Sequence, residues 1–241
     1  MSSRPALEEI REAIGCLEKT HRRFSRTVSI AEQVDCRIPF RGLPRGCIHE
    51  VKGTSISSAI AYSAILSARI AGREGNVIYI APGKPLYPLG LLPYGIQLDR
   101  LVMVSVRRPQ DLAWAVLEAL RCSQVSVVMT LMSGVNLTDS RRLQLAAENS
   151  GATGFLLNRA DTAPVAAPIT RWLISPQVRR SQRFDEPAWK LDLLYCRGGM
   201  PRSWTLEWSN RELRALGAPA LQKPGLFHTA VVRTTREALA G

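Results

Sequence analysis

Gly53 stands where an apolar strand gives way to a helix, the position from which a phosphate-cradling loop of the form G-x-x-x-x-G-K-[ST] would run. That chemistry needs glycines so that backbone N–H groups can wrap the phosphates, a lysine for the β- and γ-oxygens, and a hydroxyl for a magnesium ion. Counted from Gly53, the second glycine, the lysine and the hydroxyl fall on Ser58, Ala59 and Ile60. None of the three can do its part. Lys52 precedes the first glycine and Lys84 lies in a neighbouring loop, so a displaced cation is one alternative. A lysine without a glycine cradle is more often a solvated point charge. The expectation is a chain with no hydrolytic centre and no cofactor.

Other reactive side chains give no better site. The cysteines at 16, 36, 47, 122 and 196 are odd in number and form no C-x-x-C pair, which reads as free thiols in a reducing compartment. His21, His49 and His228 have no ligand at metal spacing, so no metal site is expected. His49-Glu50 opens like H-E-x-x-H, but the second histidine position is Gly53.

Charge is the strongest compositional signal. The 241 residues carry 27 arginines and five lysines against 20 acids, a net +12. This suits a polyanionic partner; Arg-rich usage on a solvated surface is the alternative. The excess is spread, at +3 over residues 1–45, +4 over 46–160 and +5 over 161–241. The longest apolar stretch, Ile60 to Ala71, is interrupted by Tyr62, Ser63, Ser67 and Arg69, so no membrane span is expected. The N-terminal residues lack an apolar signal core and carry Glu8, Glu9 and Glu12, which points to a cytoplasmic location.

The elements that must position any site follow from periodicity. Leu7, Ile10, Ile14 and Leu17 form one stripe of an amphipathic helix over residues 1–23, a candidate for docking on a partner or on the chain's own core. Residues 24–41 read as a basic linker, giving an N-terminal unit 1–41. From Gly42 strands and helices alternate: strands at Cys47–Val51, Asn76–Ala81, Leu101–Val106, Val125–Met132 and Gly154–Leu157, helices at Ile56–Ala71, 109–121 and 139–149. Such alternation predicts an α/β fold with a mostly parallel sheet flanked by helices. A short β-like run, Thr170–Ser175, and a hairpin of Trp189–Arg197 with Ser203–Trp208 extend it to residue 208. The tail 209–241 reads as a short helix, a Pro/Gly segment and a final helix. Trp189, Trp204 and Trp208 on the hairpin, and Trp114 beside Val116, Leu117 and Leu120, are expected to pack more than to anchor a partner.

Gly42-Leu43-Pro44-Arg45-Gly46 before the first strand, Gly95-Ile96-x-Leu98-Asp99-x-Leu101 before the third, and the hairpin after Pro168 together resemble the RecA-like core over residues 40–208. The resemblance implies a catalytic glutamate after the second strand and a magnesium-associated aspartate at the end of the 125–131 strand. Those positions hold Gly83 and Leu131, so the acids are missing along with the loop chemistry. It also implies two single-strand-binding loops, here Ser133–Thr138 leading to Arg141-Arg142, and Asn158–Pro168 with Arg159. With Arg171, Arg179, Arg180 and Arg183 these arginines are candidates for weak, sequence-independent DNA contact, against the alternative of a solvated surface.

Tyr79-Ile80-Ala81-Pro82, Tyr87-Pro88, the run Arg141-Arg142-Leu143-Gln144-Leu145-Ala146-Ala147-Glu148, and Arg197-Gly198-Gly199 narrow the resemblance to the ImuA family, relatives of the cell-division inhibitor SulA. That resemblance implies a non-catalytic factor of the SOS response in mutagenic translesion DNA synthesis. Its implied partners are an ImuB-like polymerase-related protein and an error-prone replicative-type polymerase, with RecA a further candidate. A SulA-like division inhibitor that binds a tubulin-like polymer is the alternative, and a recombinase-class ATPase is a third reading that the missing Lys, Thr and acids oppose.

Overall fold

Strand β3 (Ile48–Gly53) is buried at all six positions, because it lies deep inside a nine-stranded sheet with helices on both faces. The computed structural model describes residues 26–83, 86–177 and 186–216. The sheet runs β11-β10-β9-β8-β3-β7-β6-β4-β5. Its parallel strands are β3, β4 (Asn76–Pro82), β5 (Leu101–Val106), β6 (Val125–Leu131), β7 (Thr153–Arg159) and β8 (Thr170–Gln177). Antiparallel strands β9 (Ala188–Cys196), β10 (Arg202–Ser209) and β11 (Glu212–Ala215) continue it beyond β8. This is the mostly parallel α/β sheet with an antiparallel extension that the alternation and the resemblance imply.

Parallel pairing forces a crossover between strands, and helices supply it. Helix α2 (Ile56–Ala71) crosses from β3 to β4 on one face, while α3 (Asp111–Arg121) and α4 (Leu137–Ser150) cover the other. The α2 face holds the larger core, in which Trp172 packs on Tyr62 at 6.0 Å and on Trp204 at 6.2 Å, between ring centres. Tyr94, in the short helical turn Pro88–Tyr94, closes that end against Trp189 and Trp208. The packing roles read for the hairpin tryptophans hold. Among the described residues, no helix is long and apolar enough to cross a membrane.

Two sequence readings are corrected. Residues 26–41 are no linker: β1 (Thr27–Val28) pairs with β2 (Leu43–Pro44), α1 (Glu32–Asp35) follows, and Ile30, Val34, Ile38 and Phe40 are buried against the α2 face. Ile30, Val34 and Ile38 are four residues apart, as on a helix face, but only Glu32–Asp35 is helical and the rest of the segment reaches the core through turns. Residues 212–215 form edge strand β11, not a helix, since Leu213 faces the core and Glu212 and Arg214 face water in two-residue alternation. The helix stripe Leu7, Ile10, Ile14 and Leu17 lies outside the described residues.

Candidate functional site

The carboxyl ends of parallel strands line one edge of the sheet, which is where such folds gather ligands. Gly53, Arg159, Leu131, Pro82 and Val106 are the last residues of their strands there.

The turn out of β3 is closed up. Only Thr54 and Ser55 separate Gly53 from α2, and a Cβ on Gly53 would sit 2.2 Å from the Ser55 carbonyl oxygen, so only glycine makes this turn. Ser58 and Ala59 donate their N–H groups to the Ser55 carbonyl, and Ser58, Ala59 and Ile60 point into the core. The positions that would wrap a phosphate are therefore already helical and packed. The loop's own backbone is spoken for as well: Thr54 N–H donates to the Ile174 carbonyl at 3.1 Å, and the Gly53 carbonyl accepts from Ala160 N–H at 2.9 Å.

Lys52 does not substitute for the missing cation. Its ammonium donates to the Thr162 carbonyl at 2.7 Å from a side chain that is almost wholly buried, which makes it a strut under the β7–β8 loop. Lys84 lies outside the described residues. Gly83 follows β4 at φ +77°, a left-handed conformation that disfavours a side chain, and Leu131 ends β6 half-buried. Leu131 lines an open cleft of about 250 Å³ with Ile56, Met132, Leu157, Asn158 and Arg159. Arg159 is the only ionisable side chain on its wall, so the cleft offers apolar contact and one cation but no acid or base pair. No cluster of three metal-ligating side chains occurs among the described residues.

The two segments read as strand-binding loops are laced to each other. Gly134 N–H donates to the Ala163 carbonyl, Ala166 N–H to the Val135 carbonyl, and the Ser140 hydroxyl to the Ala166 carbonyl. Val135 and Val165 are buried between them. Beneath lies Glu50, fully buried in β3. Its Oε1 accepts from Asn158 Nδ2 at 2.9 Å and Val165 N–H at 3.0 Å, and its Oε2 from Arg171 Nε. Arg171 Nη2 also donates to the Val165 carbonyl at 2.6 Å. Arg171, read as a DNA contact, is thus turned inward, because an unpaired carboxylate in the sheet would be far costlier than one guanidinium drawn from the surface.

The remaining candidates divide. Arg141 and Arg142 are exposed on α4, with Arg142 3.6 Å from Asp139, and Arg159 is exposed 3.3 Å from Asp161. Such surface pairs yield easily to another anion. Arg179, Arg180 and Arg183 lie outside the described residues. Asn136 caps α4, accepting from Asp139 N–H at 2.9 Å, which fixes where the two arginines emerge.

Sequence reasoning missed two features. Glu50 carried a signal, a carboxylate in the middle of the apolar run Cys47–Val51 that had to find a cation. Trp114 carried none: it was read as packing, and its side chain is 66% exposed. Beside Glu50, His49 is sealed between the Thr170 hydroxyl at 2.7 Å and the Pro44 carbonyl at 2.8 Å, and burial pushes its pKa down to about 4. Cys47 lies 3.3 Å from the ring with its thiol pushed up by burial, so the pair is inert structure.

The mostly parallel sheet, its antiparallel extension and the closed strand-to-helix turn at Gly53 define an α/β protein. A protein named ImuA from Caulobacter vibrioides, known from two strains, is 30% identical over 194 residues, covering 72% of this chain and 80% of the relative. The chain belongs to the ImuA family. No family model matches it. Among solved structures, SulA from Pseudomonas aeruginosa aligns with a TM-score of 0.40 at 16% identity, over 46% of this chain and 98% of that one.

Proposed function

We propose that this chain is a non-catalytic accessory factor in DNA-damage-induced mutagenesis, acting in translesion synthesis through protein contacts. Membership of the ImuA family supports the process. The closed turn at Gly53–Ile56, with Ser58, Ala59 and Ile60 buried in α2, is the observation that carries the mechanism, because it leaves the positions a phosphate loop would use packed in the core. A chain built this way does its work by presenting surfaces. The proposed partners are an ImuB-like protein and an error-prone replicative-type polymerase, with RecA as a third, and weak sequence-independent contact with DNA accompanies them.

Two measurements test this together. Calorimetric titration with ATP and magnesium is expected to show no saturable heat at micromolar concentration, the range in which a working nucleotide site would give about −8 kcal/mol. Pull-down of the tagged chain from DNA-damaged cells, with partners identified by mass spectrometry, is expected to recover polymerase-related proteins. Saturable nucleotide binding, or capture of a tubulin-like division protein in place of polymerases, overturns the reading.

A further inference from the structure

The outer surface of α3 and α4 carries a groove of about 360 Å³ lined by Arg121, Arg142, Leu145, Ala146 and Asn149 together with Ser123 and Ser150. Arg121 belongs to the α3 stripe Trp114, Leu117, Arg121, at spacings of three and four residues, so the exposed tryptophan lies on the same face of α3, two turns before the groove. Leu145, on α4, is 54% exposed. An exposed Trp and an exposed Leu on adjoining helices, with two arginines, have the composition of a contact surface, since aromatic and Arg side chains dominate such centres. Among the described residues the ion pairs of these arginines lie within their own helices, Arg121 with Glu118 at 2.7 Å and Arg142 with Asp139 at 3.6 Å.

The occupant is present in the sequence. Residues 7–18 carry four glutamates and one arginine, a net −3 in a chain of net +12, together with the apolar stripe Leu7, Ile10, Ile14 and Leu17. Their attachment point lies at the groove's lower end. The carbonyl of Arg26 accepts from Arg45 N–H at 2.9 Å, and a Cβ on the adjoining Gly46 would lie 3.5 Å from Gly151 Cα. Gly151 closes α4 directly after Asn149 and Ser150. Residues 19–25 span at most about 24 Å when extended, enough to turn this corner.

We propose that residues 7–18 dock intramolecularly as a helix in the α3–α4 groove, covering Trp114 and Leu145 with their apolar stripe and meeting Arg121 and Arg142 with glutamates. A helix of this length rises about 18 Å, which covers the roughly 10 Å from Trp114 to Arg121. With Leu17 and Glu18 seated at the C-terminal ends of α3 and α4, it runs parallel to both and brings Glu18 beside Arg121.

Tryptophan quenching by acrylamide reads this directly, because Trp172, Trp189, Trp204 and Trp208 are buried and Trp114 alone is open in the described residues. In the full chain Trp114 is expected to be protected. Ile10→Glu with Ile14→Glu should raise the quenching constant of one tryptophan severalfold, Arg121→Glu with Arg142→Glu should do the same, and Trp114→Phe should abolish the rise. Equal quenching in the wild type and the Ile10/Ile14 variant overturns the proposal. Protection that grows with protein concentration places the helix on a second copy and overturns the intramolecular form. Protection that appears only on adding single-stranded DNA, and is indifferent to Ile10 and Ile14, makes the groove a nucleic-acid surface and overturns it as well.

Discussion

Replacing Arg171 by alanine separates an internal strut from a DNA contact. The guanidinium spans Glu50 Oε2 and the Val165 carbonyl, and its removal leaves a fully buried carboxylate with only the Asn158 and Val165 donors on Oε1. Breaking a buried pair from one side costs about 3–5 kcal/mol. Against a total stability of about 10 kcal/mol that is a large fraction, and it should lower the urea midpoint by about 1–2 M. Lysine at this position keeps the charge but not both hydrogen bonds, so Arg171→Lys should lose about 1–2 kcal/mol. The geometry also says how to restore stability. Glu50→Gln keeps an acceptor for Asn158 and Val165 at the Oε1 position, and Arg171→Met then removes the cation it no longer needs. The double variant should recover most of the loss, a coupling of about 2–3 kcal/mol. Urea unfolding of the four variants, followed by the fluorescence of the buried tryptophans, measures this. If Arg171→Ala leaves the midpoint within 0.3 M, about 1 kcal/mol on the same scale, while weakening DNA binding, the strut is refuted and the side chain faces a polyanion instead.

Two further outcomes are expected. His49 is held neutral, with a folded pKa near 4 against 6.5 when unfolded, so its contribution is intact above pH 6.5 and is lost as pH falls toward 4, because only the unfolded chain takes the proton; the loss is about 3 kcal/mol, and His49→Gln should flatten the urea midpoint between those pH values. Single-stranded DNA, if bound, is held through phosphates, so charge reversal of Arg141 and Arg142 should reduce the log–log salt slope by about 1.4 without changing base preference, and an unchanged slope would place the contact elsewhere.

The fold was legible wherever burial imposes a period. Helix α2 runs from Ile56 to Ala71, the span its apolar pattern predicts, and β5 likewise runs from Leu101 to Val106. Helix α2 is packed between the sheet and the 26–41 segment, where its apolar pattern has one solution, while β5, an edge strand with Val106 its one buried residue, was legible from a continuous apolar run. Residues 26–41 were illegible because they cover the α2 face with no more regular structure than the two-residue strand β1 and the one-turn helix α1. Ile30, Val34 and Phe40 are as buried as any strand residue, but the chain reaches them by turns: Asp35 accepts from Ser29 and from Ile30 N–H, and its own N–H donates to the Ala31 carbonyl.

The site was legible as a loss and illegible as a replacement. Ser58, Ala59 and Ile60 are not the residue types a phosphate loop uses; nothing in those types says that all three sit inside a helix. Charge misled for a related reason. A count of arginines treats each as a free cation, yet Arg171 is spent on Glu50, Arg45 on the Ile70 carbonyl, and Arg69 on the carbonyls of Ser29 and Ile30. Burial even lowers the pKa of Arg45 and Arg69, the mark of cations drawn away from solvent. Guanidinium suits such work because its fork satisfies two acceptors at once, and Arg69 and Arg171 each serve two. An Arg-rich composition in this fold is therefore partly structural mortar. Of the arginines read as DNA contacts, those exposed among the described residues are Arg141, Arg142 and Arg159, and Asp139 and Asp161 lie beside two of the three. A field so diluted favours mixed, apolar-centred contacts over a continuous phosphate track, which is the character of the α3–α4 surface around Trp114.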